Sequence, residues 1–256
     1  MRTVYFNAFE YIASKLLIMK KTLLSLLLIV PMLVFIGCGG DDSDPTPTDD
    51  NNNNNVPVNA KVGFFNGAEG IVKGSFSVST GFASQLKTGQ SSNQVDVVEG
   101  SHTVMVKNGD NNTEVFNQMV NFNAANAYDF FLCGKSDNPE VLKVEQKFTI
   151  TDASKVYVQF INLVERTNSH QLGLERTDVG GFPLQDIGAA LNFKQNSAYI
   201  ALLPGTYKAE IADASGAPKP DQDPSSQSMT AGQVYQVVAY DEGNRIKFTF
   251  KQASGF

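Results

Sequence analysis

Alternation of apolar and polar residues is the feature that most limits how this chain can fold. Residues 75–79, 156–161 and 246–251 place apolar side chains at every second position. A period of two is typical of a β-strand with one buried face, and no long stretch after residue 56 has the 3.6-residue period of a helix. Residues 108–112 and 241–244 are rich in Gly, Asn and Asp and favour hairpin turns. The pattern predicts antiparallel β-sheets.

The same part of the chain contains an internal repeat. Three short blocks recur in the same order, namely residues 60–66 and 154–162, residues 99–106 and 204–211, and residues 123–130 and 230–237. We therefore predict two tandem β domains, residues 56–150 and residues 151–256. About seven short strands in roughly 100 residues is the size of an immunoglobulin-like sandwich. The predicted fold class is all-β, with two tandem immunoglobulin-like antiparallel β-sandwich domains after a signal peptide and a disordered tether.

The repeated blocks resemble the DUF4397 family of bacterial envelope proteins. Residues 154–162 match its opening strand, residues 204–207 its Pro-Gly-Thr-Tyr turn, and residues 230–239 its Gly-x-x-Tyr strand. The first domain departs from the family, since residues 99–102 are Glu-Gly-Ser-His. The resemblance covers nearly all of residues 60–250. It implies a β fold and an envelope location, and it implies no established chemistry.

The N-terminal pattern predicts export and lipid attachment. Two lysines at positions 20–21 precede an apolar run over residues 22–36, followed by a glycine and Cys38. The run is long enough for a secretory signal and short for a membrane span of about 20 residues. The order resembles bacterial lipoprotein signals, although Phe35 stands where leucine is usual. We expect residues 1–37 to be removed and the new N-terminal cysteine to carry lipid.

Two alternatives bear on this anchor. Residues 1–18 do not fit a signal, so we expect the true start to be Met19, which N-terminal sequencing of the precursor would test. Cys38 could instead be incidental to an uncleaved signal anchor. Each buried CH₂ contributes about 0.8 kcal/mol, and stable attachment takes more than one acyl chain. The diacyl or triacyl cysteine that the lipoprotein resemblance implies meets that requirement.

Residues 38–55 form a lipidated cysteine and an acidic, asparagine-rich segment. After Cys38 the segment contains no strongly apolar residue, so we expect a disordered tether. Its early aspartates resemble the acidic export signal of some surface lipoproteins, and an ordinary solvated tether is the alternative. The expected location is the bacterial cell envelope, at the outer membrane, facing either the periplasm or the cell surface.

Net charge bears on the partners. The chain has 20 basic and 26 acidic residues, and residues 1–37 carry four of the basic and one of the acidic ones. The mature chain therefore has a formal charge of −9. Because such a chain repels phosphate backbones, we expect no nucleic-acid partner. The expected partners are the membrane, through the lipid on Cys38, and an envelope protein or a glycan.

Candidate chemistry is sparse. The two histidines, His102 and His170, lie in different repeats, and neither HExxH, CxxC nor GxSxG occurs. Ser101 and His102 are strand neighbours, so their side chains point to opposite faces and cannot pair as nucleophile and base. Residues 110–112 and the three aspartates at 213, 221 and 223 could offer oxygen ligands to calcium, but without EF-hand spacing we favour solvated turns. We predict no catalytic residue, no metal and no cofactor.

Cys133 is the only cysteine besides Cys38. Cys133 follows an apolar run, so we expect it to be buried in a strand, and an intermolecular disulfide is the alternative.

We expect a non-enzymatic, lipid-anchored envelope protein with a structural, adhesive or ligand-display role. The alternative is a carbohydrate-binding component of a surface uptake system. The chain has no Trp, so that alternative predicts exposed Tyr or Phe side chains clustered on one face.

Overall fold

The structure, a computed structural model, describes residues 59–166, 169–179, 185–186, 190–212 and 219–253. The signal region 1–37, Cys38, the predicted tether and Asp213 lie outside these residues. The described chain is all-β, as the alternation predicts. None of its described segments is a helix long and apolar enough to cross a membrane.

Strands β1 to β8 form the first sandwich. Their bounds are β1 Asn59–Asn66, β2 Lys73–Val78, β3 Phe82–Lys87, β4 Val95–Val98, β5 Gly100–Asn108, β6 Thr113–Phe122, β7 Ala127–Lys135 and β8 Asn138–Gln146. One sheet has the order β4-β1-β7-β8 and the other the order β3-β2-β5-β6. The inward side chains of both sheets form one apolar core that includes Phe64, Phe76 and Phe130.

Strands β9 to β18 form the second sandwich. Their bounds are β9 Val156–Leu163, β10 Gln171–Arg176, β11 Gln185–Asp186, β12 Gln195–Asn196, β13 Ile200–Leu202, β14 Gly205–Ala212, β15 Gln222–Asp223, β16 Ser225–Met229, β17 Val234–Glu242 and β18 Arg245–Ala253. One sheet has the order β11-β10-β14-β16. The other has the order β12-β9-β17-β18-β15, with β13 also paired to β9. The core between them includes Val158, Phe160, Tyr207 and Val237.

The repeated sequence blocks fall on corresponding strands. They are β1 and β9, β5 and β14, and β7 and β17. Each sandwich also has the same central pairing. In the first, β1 pairs with β7 and β7 with β8; in the second, β9 pairs with β17 and β17 with β18. The repeat in the sequence is therefore a repeat of strand pairing.

Two of the four sheets are mixed, and the other two are purely antiparallel. β1 pairs with β7 in parallel, β9 pairs with β17 in parallel, and the short β15 pairs with β18 in parallel. Alternation shows which face of a strand is buried and carries no information on the direction of its neighbour. Since β1 and β7 are far apart in sequence, no hairpin turn fixes their relative direction.

Three central strands are buried on both faces, although alternation predicts one buried face. All eight residues of β9 are buried, as are eight of the nine residues of both β7 and β17. The second buried face arises because the sheet that contains β1 and β7 packs against the sheet that contains β9 and β17. The two sandwiches thus share an interface, which we call the inter-sandwich interface.

Candidate functional site

The histidines and acidic clusters named from the sequence have structural roles. His102 lies on β5, and its Nε2 is 2.8 Å from the carbonyl oxygen of Val98. Asp110 accepts the backbone N–H of Val72 at 2.7 Å and so fixes the start of β2. Asp223 is paired with Arg245 and Lys247, and the hydrogen bond from that lysine is the main cause that lowers the pKa of its carboxyl group.

These groups do not come together in the described structure. The described residues contain no group of three His, Cys, Asp or Glu side chains that could hold a metal ion. His170 is fully buried beside β10, and its backbone exchanges hydrogen bonds with Leu191 at 2.9 and 2.8 Å. Burial is the main reason that its pKa falls to about 4, so it is neutral at pH 7.

Cys133 is buried, which confirms the sequence-based prediction. It lies on β7 within the inter-sandwich interface, and its Sγ is 3.5 Å from the carbonyl oxygen of Glu140. Burial raises the pKa of this thiol to about 12. The folded chain therefore cannot form the intermolecular disulfide that was the alternative, because the sulfur is sealed and protonated.

Apolar side chains from both sandwiches make the centre of the interface. The first sandwich contributes Phe65, Phe131, Cys133 and Val144, and the second contributes Ile161, Leu163, Val238 and Tyr240. The rings of Phe65 and Tyr240 meet edge to face, with centroids 5.6 Å apart. Both surfaces consist largely of alternate residues of strands whose other face lines a core.

A buried ion pair crosses the interface between Lys251 on β18 and Asp129 on β7. The two side chains are only 4% and 1% exposed. Asp129 also accepts a hydrogen bond from the amide of Gln146, and Lys251 lies 3.3 Å from Oε1 of Gln236. The network continues within the second sandwich, where the Gln236 amide donates to Gln159 at 3.2 Å. Each buried charge thus has an opposite charge and at least one further polar contact, as burial requires.

A second set of contacts ties a loop of the first sandwich to the second one. Thr249 Oγ1 donates to the carbonyl oxygen of Gly89 at 3.2 Å. Gly89 has a φ of +78°, and a Cβ at this position would overlap the hydroxyl group of Tyr240. The loop is also held to β1, because the N–H of Asn66 donates to Gln90 O at 3.0 Å. Glycine is required here both by the backbone conformation and by the close approach.

A cleft of about 440 Å³ opens where the two sandwiches meet. One wall is residues 91–94, and the other is residues 250–252 of β18. The lining side chains are two serines, one asparagine, two glutamines, one phenylalanine and one lysine. All seven are described, and none of them carries a carboxylate. Lys251 is the only charged group among them, and its charge is balanced by the buried carboxylate of Asp129.

A second cleft, of about 400 Å³, lies beside the end of β8. It is lined by residues 125–126 and 146–149, which include Gln146 of the buried network. The segment after β8 is itself docked, since the ring of Phe148 lies 4.5 Å from that of Tyr199 and 4.7 Å from that of Tyr157, centroid to centroid. The chain between the sandwiches therefore packs on the second one.

Exposed aromatic rings are absent from the part of the chain that the structure describes. Every described Phe and Tyr is buried or half-buried. The exposed large apolar side chains are Val72, Val98, Met119, Val179 and Leu203. The described surface thus lacks the clustered Tyr or Phe side chains that the carbohydrate-uptake alternative predicted, and a saccharide could be held only by another kind of site.

Sequence reasoning missed the residues that build the interface. Asp129 stands alone among apolar residues in the run 128–133, and an isolated carboxylate in such a run indicates a buried partner. The alternation over residues 246–251 predicts that the side chain of Lys251 points outward. Only the packing of the second sheet face makes it a buried one.

Comparisons with known proteins give distant likenesses. No family model matches this chain, and no curated protein matches it. It is similar to the CBM26 domain CBMbc of Eubacterium rectale Amy13K, solved with maltoheptaose, at 9% identity and a TM-score of 0.26 over 77% of this chain and 97% of that one. It is also similar to a candidate cell adhesion protein from Bacteroides ovatus, at 10% identity and a TM-score of 0.24 over 77% and 96%.

A further candidate cell adhesion protein, from Bacteroides fragilis, is 8% identical, with a TM-score of 0.23 over 71% of this chain and 84% of that one. The all-β class rests on the strands of this chain itself.

Proposed function

We propose that this protein is a non-enzymatic, lipid-anchored component of a bacterial cell envelope, related to the DUF4397 lipoproteins, that displays a binding surface on two β-sandwiches packed as one body. The observation that carries the display role is the inter-sandwich interface. A continuous apolar cluster and a buried ion pair hold two surfaces in one arrangement. A module that must present its ligand-contacting loops in fixed positions needs such packing, whereas a linker between independent domains does not.

The proposed anchor is Cys38, on the sequence pattern that surrounds it. The matched control is Cys133, because it is the only other cysteine in the chain and is buried. Cells that express the chain would be fed a clickable palmitate analogue. We expect label in the wild type and in Cys133→Ser, and none in Cys38→Ser. Label that persists in Cys38→Ser, or membrane attachment that does not change in it, would refute lipid anchoring.

The face of the envelope is then tested by protease treatment of intact cells. Cleavage of the sandwich domains without opening the outer envelope supports adhesion or ligand display at the cell surface. Protection until the envelope is opened instead supports a structural role in the periplasm. Release of the Cys38→Ser chain into the medium or the periplasm provides the control for accessibility.

A further inference from the structure

We propose that the cleft between residues 91–94 and residues 250–252 binds a short, neutral saccharide. This inference deepens the proposed display function and rests on it. The cleft is polar, so it would bind a sugar by hydrogen bonds rather than by stacking on a cluster of exposed aromatic rings.

The lining chemistry matches a polyhydroxylated ligand. Hydroxyl and primary amide groups can both donate and accept, so they pair with sugar hydroxyls in either direction. Ser91 and Asn93 are exposed on the first wall, and Gln252 is exposed on the second. Phe250, in the second wall, is half-buried and packs against the core of the second sandwich, so the polar groups are the part of the lining that a ligand can contact. The volume of about 440 Å³ lies in the usual range for small-molecule sites.

The walls of the cleft are fixed before any ligand arrives. Ser92 N–H donates to the carbonyl oxygen of Phe64 at 2.9 Å, and its hydroxyl accepts the Phe64 N–H at 3.0 Å. On the other wall, Gln252 Nε2 donates to Gln233 Oε1 at 2.5 Å. Next to the two walls, the hydrogen bond from Thr249 to Gly89 joins the two sandwiches across the interface. Fixed walls lower the entropy cost of binding, which is the main obstacle for a weak polar ligand.

The charge of the cleft selects against ionic ligands. The ammonium group of Lys251 is neutralised by Asp129, and both are almost fully buried. An anion would therefore find no free cation among the seven lining residues. A cation would find no carboxylate on the cleft surface. Neutral hydroxyls lose the least on transfer into such a site, so a neutral saccharide is the ligand class that the lining favours.

The test uses the whole mature chain with Cys38→Ser, labelled with ¹⁵N and titrated with maltotriose, mannotriose and N,N′,N″-triacetylchitotriose. Trigalacturonic acid is the charged control. We expect at least one neutral trisaccharide to shift the amide signals of residues 91–94 and 250–252 at millimolar concentration, with little shift elsewhere. We expect trigalacturonic acid to bind at least tenfold more weakly.

Variants then localise the site. We expect Asn93→Ala to weaken binding by tenfold or more, because it removes an amide that can make two hydrogen bonds to the ligand. The matched control is Asn117→Ala, an exposed asparagine on β6 in the other sheet of the same sandwich. Thermal unfolding of both variants verifies their folding.

Three outcomes would overturn the proposal. These are no shift with any of the neutral trisaccharides, shifts that Asn93→Ala does not reduce, or equal binding of trigalacturonic acid. Loss of palmitate label at Cys38 is a separate readout. A failure of saccharide binding with intact lipidation therefore rejects the ligand and leaves the anchored display protein standing.

Discussion

Replacing Lys251 with methionine should destabilise the protein strongly. Methionine keeps most of the length of the side chain, so the loss is chiefly that of the ammonium group. The change leaves the carboxylate of Asp129, which is 1% exposed, without its opposite charge, while the amide of Gln146 still donates to it. Removing one member of a buried ion pair costs about 3–5 kcal/mol. The folding equilibrium constant should therefore fall by roughly two to four orders of magnitude.

The assay is urea unfolding followed by far-UV circular dichroism, because the chain has no Trp to report by fluorescence. The matched control is Lys247→Met on the same strand, whose ion pair with Asp223 is about one-third exposed. Water screens such a pair, so its loss should be much smaller. An equal loss of stability in Lys247→Met and Lys251→Met would refute the argument that the inter-sandwich pair is energetically buried.

Cys133, Gly89 and His170 can each be tested by a single substitution or a labelling reagent. Cys133 should resist maleimide at pH 7 and react fully in urea, because burial raises the pKa of its thiol to about 12. Rapid labelling of the native chain would contradict the burial of Cys133 in the inter-sandwich interface. Gly89→Ala should cost more stability than Gly81→Ala, measured by thermal unfolding. Both glycines have positive φ, but only the first would place a Cβ against Tyr240. Stability should fall as the pH drops from about 6.5 towards 4, because the unfolded chain protonates His170 first; His170→Gln should flatten that slope in urea titrations, and an unchanged slope would place the dependence elsewhere.

Much of the strand content of the fold could be predicted because several strands carry their own alternating pattern. On β18, Ile246, Phe248 and Phe250 alternate with polar residues, and they face the core or pack against it as predicted. The direction of the neighbouring strands could not be predicted. β9 and β17 pair in parallel although they are separated in sequence by most of the second repeat, so no local turn determines the direction of that pairing.

The candidate site could not be predicted, since it depends on contacts between the repeats. The polar residues 91–94 are ordinary loop residues by composition, and Gln252 lies one position beyond the alternating run 246–251. They line one cleft only because the sheet that contains β7 lies on the sheet that contains β17. No periodicity within either repeat carries that information.

The ion pair explains why the interface has one arrangement. Apolar strand faces resemble each other at every second residue, so two such sheets can slip past one another at little cost. A single buried pair of opposite charges penalises every register except the one that joins Asp129 to Lys251. That register also brings residues 91–94 opposite residues 250–252. The double variant Asp129→Leu/Lys251→Met should therefore remain folded, as apolar replacements of buried pairs often do, but it should lose the cleft and its saccharide binding. Unchanged amide shifts on titration in the double variant would show that apolar packing alone sets the register.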